Sequence, residues 1–189
     1  GQSATGALLE QVRGLYPKPA THDEILARIA ANPEPAPDLH VLPDIKGSRT
    51  PFADPLLRGA VHGLSLERSP DALDALYWRA AVGIALGTRQ VVAHMGLVPA
   101  ALAMAGGQAR SALLRQLYAD ATGIEIHWQP EDAVLRGTAI AAASPLVGGI
   151  GEARARFVRP IQITRPDPAA RDWRIYLRMQ QQRAEIAAM

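Results

Sequence analysis

The stretch Ala100-Ala101-Leu102-Ala103-Met104-Ala105-Gly106-Gly107-Gln108-Ala109-Arg110-Ser111 decides the reading of this chain. A short apolar run enters two consecutive glycines, and a helix-forming run follows at once. An apolar run of this length bounded by glycine predicts a buried strand. Glycines let the backbone bend sharply and let a flat or charged ligand approach with no Cβ in the way. A helix start just behind them offers free amides and a positive dipole end. The stretch reads equally well as a nucleotide or phosphate site and as a tight turn that binds nothing. It is neither G-x-x-x-x-G-K-[ST] nor G-x-G-x-x-G, so neither a P-loop nor a dinucleotide fold is supported.

Downstream, a helix is predicted from about Ala109 to Ala121, ended by Gly123. Ile124 to Trp128 alternates like a strand, and Ala133 to Ala143 is alanine-rich and helical. Gly148-Gly149-Ile150-Gly151 reads as a loop, and Arg171 to Ala188 as a last helix with arginines 171, 174 and 178 on one face. Strands alternating with helices argue an α/β layer. Upstream, Ser69-Pro70-Asp71 is a strong helix start, followed by a stripe from Leu73 to Val91. Gly83 and Gly87 lie inside that stripe, which predicts a close backbone approach there. Leu39 to Pro43 and Gly59 to Leu66 read as strands around a loop. Thr21-His22-Asp23-Glu24 is a capping box for a helix to about Ala31. Pro33 to Pro37 is a proline-rich connector, and Ala4 to Leu15 has helical spacing.

The 189 residues, 48% apolar and 20% charged, suit a soluble globular chain with its own core. Cysteine is absent, so no disulfide or thiolate metal site forms, in keeping with a cytoplasmic location. No transmembrane helix or signal peptide is expected. The first residue, Gly1, suggests a fragment or a processed chain. Net charge is +2, with Lys18 and Lys46 the only lysines. Eight arginines against four acids after Gly137 make a basic tail. Few aromatics interleave with them, so a solvated surface is expected and no nucleic-acid partner.

Four segments in order add a resemblance. Met104 to Gly123 is similar to the adenosine motif of the FGGY carbohydrate kinases, G-G-G-A-x-[SN] followed by glutamine and A-D-x-[ST]-G. Gly1-Gln2-Ser3-Ala4-Thr5-Gly6 resembles the ribulokinase-type G-G-Q-S-A-T-G segment. Gly47-Ser48-Arg49-Thr50-Pro51, Asp54-Pro55, Arg58-Gly59 and Gly63-Leu64 resemble the family's G-x-R-x-P-x-x-D-P-x-x-R-G-x-x-x-G-L run. Leu135-Arg136-Gly137-Thr138-Ala139 stands where the family has L-G-A-A. The resemblance weakens after about Pro145, so residues 1–145 are expected to be the main part of the domain. Residues 146–189 would be a C-terminal loop and helix packed on it.

The resemblance implies an actin-like ATPase fold, two ribonuclease-H-like domains around a cleft, of which this chain is the C-terminal, ATP-binding half. It implies γ-phosphoryl transfer from Mg2+-ATP to a sugar or polyol, here a pentulose or pentitol such as ribulose. Gly6 aligns with a glycine near the nucleotide phosphates. Gly107 and Gln108 align with backbone along the adenine, Gly106 and Ala109 beside them count among the nucleotide-binding residues, and Ser111 aligns with a residue that bonds base or ribose. The catalytic base and first phosphate motif belong to the N-terminal domain, the expected partner, so the chain alone is expected to be inactive. The resemblance also allows a homodimer. Gln108 replaces the third glycine and Arg136 another glycine, which leaves a non-catalytic actin-like interaction module as the alternative; an arginine-rich nucleic-acid binder is a weaker one.

Other candidates read as structural. Arg49 and Asp54, flanked by prolines, lock a loop, and Asp120 holds the turn after its helix. The five histidines, His22, His40, His62, His94 and His127, show no i, i+4 pairing, so no metal site is expected. Trp78 and Trp128 read as core or interface aromatics.

Overall fold

A computed structural model describes residues 2, 4–32, 36–67, 69–130, 132–157, 159–167 and 173–189. Helix α3 (Pro70–His94) is the pillar of the core. Ser69 caps it through a hydrogen bond from the Ala72 amide, and Pro70 occupies its first turn. From Ala80 to Gly87 every residue is buried, so this stretch is enclosed all round.

Four other helices and a strand surround it. Helix α1 (Thr5–Arg13) brings Leu8, Leu9 and Val12, and α2 (His22–Ala31) brings Ile25, Leu26 and Ile29. The expected capping box forms in both directions: the Glu24 amide donates to Thr21 Oγ1, and the Thr21 amide donates to Glu24 Oε2. Helix α4 (Ala112–Thr122) adds Leu114 and Leu117, and α7 (Trp173–Ala187) adds Tyr176 and Met179. Trp78 is buried in this core, as expected of a core aromatic.

Strands β1 (His40–Leu42) and β2 (Ala60–His62) form a small antiparallel sheet. The carbonyl of Val41 sits against Gly83, the close backbone approach that the helix-interior glycine predicts. Gly87 faces a side chain instead, that of Gln2, whose amide donates to Ile84 O at 2.7 Å. The second strand is shorter than expected. It stops at Gly63 (φ +80°), where the backbone turns against the Asp38 carbonyl.

The second sheet has the order β3-β4-β5. Strand β3 (Ala101–Met104) runs parallel to β4 (Glu125–Trp128), with α4 as the crossover. Strand β5 (Gln162–Thr164), absent from the sequence reading, pairs antiparallel on the far side of β4. Central Ile126 is therefore fully buried, whereas β3 is an edge strand and only half-buried, against the expectation of a buried strand. Pairing on one side alone leaves its other edge uncovered.

Helix α5 (Ala133–Ala143) has the expected limits, with Asp132 accepting from the Val134 and Leu135 amides. Arg136 does not disturb this start; its guanidinium bonds Gln129 Oε1. None of the residues of α5 is buried. The expected loop at Gly148–Gly151 ends at Gly149, and Ile150 already opens helix α6 (Ile150–Arg156). The start of the last helix at Arg171, and Pro33, Gly1 and Ser3 of the quoted segments, lie outside the described residues. Arg174 and Arg178 on α7 are exposed. No helix among the described residues is long and apolar enough to cross a membrane.

Candidate functional site

The glycine turn does not pass straight into a helix. Gly106 (φ +86°, ψ −168°) adopts a backbone reserved for glycine, then Gly107–Arg110 forms a 3-10 turn. Only at Ser111 does the chain extend and cap α4, so α4 begins at Ala112 and not at Ala109. The extended residue is needed because Ser111 Oγ must reach back to the Leu114 amide.

This turn, the start of α1 and the start of α2 enclose a cleft of about 790 Å3. That is ample for a nucleotide, since small-ligand sites span roughly 300–1,000 Å3. Thr5 and Gly6 form one wall, Thr21, His22 and Asp23 a second. Ala103 to Ala105, Gly107, Gln108, Arg110 and Ser111 form the third, with Tyr77 and Tyr118 at the back. Of the expected residues, Gly6, Gly107, Gln108 and Ser111 are thus brought together. Gly106 and Ala109 are not: they line a minor pocket on the other side of the turn, and Ala109 is buried.

Gly6 and Gly107 both face open space, since a Cβ built on either would meet nothing within 4 Å. Three helices start at this cleft, so three positive dipole ends converge on it. The starts of α2 and α4 are capped by side chains, whereas α1 begins after Ala4 (φ 59°), which has none to offer. The first-turn amides of α1 are thus left to other acceptors.

The side chain of Gln108 is tethered. The Tyr118 hydroxyl donates to its Oε1 at 2.8 Å, and burial pushes the Tyr118 phenol far above its ordinary range. On the second wall His22 bridges Tyr77, whose hydroxyl lies 2.8 Å from Nδ1, and Glu10, whose Oε2 lies 3.1 Å from Nε2. Burial raises the Tyr77 phenol to about 12, so the hydroxyl facing His22 keeps its proton at neutral pH. Arg13 hydrogen-bonds Glu10 and holds its carboxyl down at about 2. Neither His22 nor Tyr77 was singled out from sequence as a cleft residue; no local pattern marks a contact between residues so far apart.

Among the described residues Asp120 bonds away from the turn that follows it, against the expectation that it holds that turn. Thr122 and Gly123 close that turn, while buried Asp120 accepts from Gln116 Nε2 and the Asp167 amide, both at 2.7 Å. Asp54 does lock its loop: its carboxylate accepts from the Leu56 amide, and its carbonyl accepts from the Ser48 amide. Among the described residues no group of three or more His, Cys, Asp or Glu could hold a metal. Among the described residues Asp23 is the one carboxylate lining the cleft.

The sequence matches the profile of the FGGY family of carbohydrate kinases, C-terminal domain, over residues 1–145. An FGGY carbohydrate kinase domain-containing protein of Danio rerio is 32% identical over 219 aligned positions, covering 100% of this chain and 40% of its own length. A D-ribulokinase of Saccharomyces cerevisiae is 40% identical over 86 residues, 44% of this chain and 12% of that protein. The ligand-bound xylulose kinase of Lactobacillus acidophilus superposes with a TM-score of 0.68 at 21% identity, covering 96% of this chain and 37% of that one. The chain thus spans well under half the length of these relatives. Its architecture is that of the C-terminal half of the actin-like ATPase fold seen in sugar kinases. The chain therefore belongs to the FGGY family of carbohydrate kinases, as its C-terminal domain.

Proposed function

We propose that this domain is the ATP side of a kinase that phosphorylates a pentulose or pentitol such as ribulose. Adenine lies on the backbone of Gly107 and Gln108, and the phosphates approach Gly6 at the uncapped start of α1. The Ser111 oxygen already accepts the Leu114 amide, which leaves its O–H free to donate to the base or ribose. The observation behind this reading is the bare backbone of Gly6 and Gly107, both lining one cleft. A planar base needs such a surface, and a polyphosphate needs open amides and positive dipole ends.

Mg2+ would arrive on the phosphates. Among the described residues the cleft offers one carboxylate, Asp23, and Mg2+ commonly binds through one or two carboxylates plus substrate phosphates. Bound there, ATP and Mg2+ supply the transferable phosphoryl group and the charge neutralisation that such transfer rests on. The base that activates the sugar hydroxyl, and most of the sugar pocket, belong to the N-terminal domain. The pentulose assignment is supported by the likeness to the yeast D-ribulokinase and to the Escherichia coli xylulose kinase, 33% identical over 111 residues.

Calorimetric titration of the full-length protein with Mg2+-ATP, followed by coupled assay on ribulose, xylulose and ribitol, tests both levels. Saturable ATP binding with turnover on a pentulose or pentitol is expected. ATP binding without turnover on any sugar would favour the non-catalytic module, and absence of ATP binding would end the reading.

A further inference from the structure

We propose that Arg115 is a positioning residue for the base seat, acting through Trp128 and the carbonyls of Ala109 and Arg110. The inference rests on the nucleotide reading of the cleft.

Arg115 stands on α4 behind the glycine turn. Its Nη1 donates to Ala109 O at 2.6 Å and to Arg110 O at 3.1 Å. Its guanidinium carbon lies 3.7 Å from the ring centroid of Trp128, the last residue of β4. One planar cation thus joins the sheet to the last two residues of the 3-10 turn that begins at Gly107. A turn of four residues in 3-10 geometry has weak internal hydrogen bonds and does not hold its own plane. Here the plane is imposed from behind, so that Gly107 presents its bare face to the cleft in front. The Tyr118 tether on Gln108, from the same helix, acts in the same direction.

Arg115 is not placed for its own comfort. Its Nε is buried without a hydrogen-bond partner among the described residues, and burial lowers its pKa. An incompletely bonded, partly desolvated cation is costly, so the fit serves the two carbonyls and the Trp128 face. Lysine cannot take over both tasks, because stacking on the Trp128 ring needs the flat guanidinium.

The test uses two probes on the full-length protein: ATP, and inorganic tripolyphosphate, which carries comparable charge and no base. Arg115→Met is expected to raise the ATP Kd about tenfold, the loss of roughly one charge-assisted hydrogen bond. Tripolyphosphate affinity should stay within about twofold, because the α1 amides are untouched. Arg115→Lys and Trp128→Leu should weaken ATP about threefold each, again sparing tripolyphosphate. If Arg115→Met fails to fold, those two variants decide the matter on the same criterion. Equal weakening of both probes, or unchanged ATP affinity in folded variants, overturns the proposal while leaving the nucleotide reading intact. A wild-type protein that binds neither probe overturns both.

Discussion

Gly83 in α3 lies so close to Val41 in β1 that a Cβ on the glycine would stand 2.2 Å from the Val41 carbonyl oxygen. The small sheet is therefore seated directly on the central helix, backbone to backbone. Gly83→Ala would gain helix propensity yet force two backbones apart, and overpacking of this kind costs about 2 kcal/mol net. Gly137, in exposed α5, has nothing within 4 Å of an added Cβ. Gly137→Ala should stabilise by about 1 kcal/mol. Urea unfolding of the two variants checks the opposite signs.

The proposed base seat gives a different pattern. Gly107→Val fills open space in front of the turn, at a backbone without positive φ, so stability should change by less than about 0.5 kcal/mol. ATP affinity should nevertheless fall by about 30-fold or more, since a branched side chain would stand where the base is proposed to lie. Thermal unfolding with and without ATP measures both effects on one sample.

Asp74 joins α3 to two other segments. Arg28 Nε and Nη2 reach its two oxygens at 2.7 and 2.8 Å, and the Tyr16 hydroxyl donates to Oδ1 at 2.5 Å. Asp74 is buried, but Arg28 is 42% exposed, so losing the carboxylate does not strand a fully desolvated cation. Asp74→Asn should therefore cost about 2 kcal/mol, below the range for fully buried pairs. Denaturant midpoints measure the loss.

The four tyrosines set an alkaline limit. Burial is the main cause that raises Tyr16, Tyr77, Tyr118 and Tyr176, with Tyr77 reaching about 12. Each is neutral in the folded state over a range where the unfolded phenol ionises. Their stabilising effect is complete below pH ~10 and is lost as pH rises toward the folded values. Absorbance at the phenolate band should stay low past pH ~10 and then rise together with loss of helical circular dichroism. A gradual rise centred on the ordinary phenol value in still-folded protein would contradict this.

Acid conditions give the mirror case at Glu10, held at about 2 by Arg13. A carboxylate depressed in the fold favours the folded state above its unfolded value and loses that effect as pH falls toward 2. Thermal midpoints of wild type and Glu10→Gln should converge between pH ~4.5 and 2, and differ most near neutrality.

Local chemistry wrote much of the architecture. The Thr21–Glu24 box, the Ser69-Pro70 start, Gly123 as C-cap and the limits of α5 follow from residues a few positions apart, which is the range over which caps and turns act. The glycine at 83 announced a close approach without saying to what. Long-range packing decided the rest. It made β3 a half-buried edge strand, because a strand's burial depends on its neighbours and not on its own apolarity. It added β5, whose three residues Gln162–Thr164 have no period long enough to read. It set Gly6, Gly107, Gln108 and Ser111 on one cleft and turned Gly106 and Ala109 away, because a 3-10 turn rotates successive residues to different sides. The Arg115 clamp, the Tyr118 tether and the Glu10–His22–Tyr77 bridge belong to tertiary structure alone. Each joins residues from different elements, and one-dimensional order does not encode such distances.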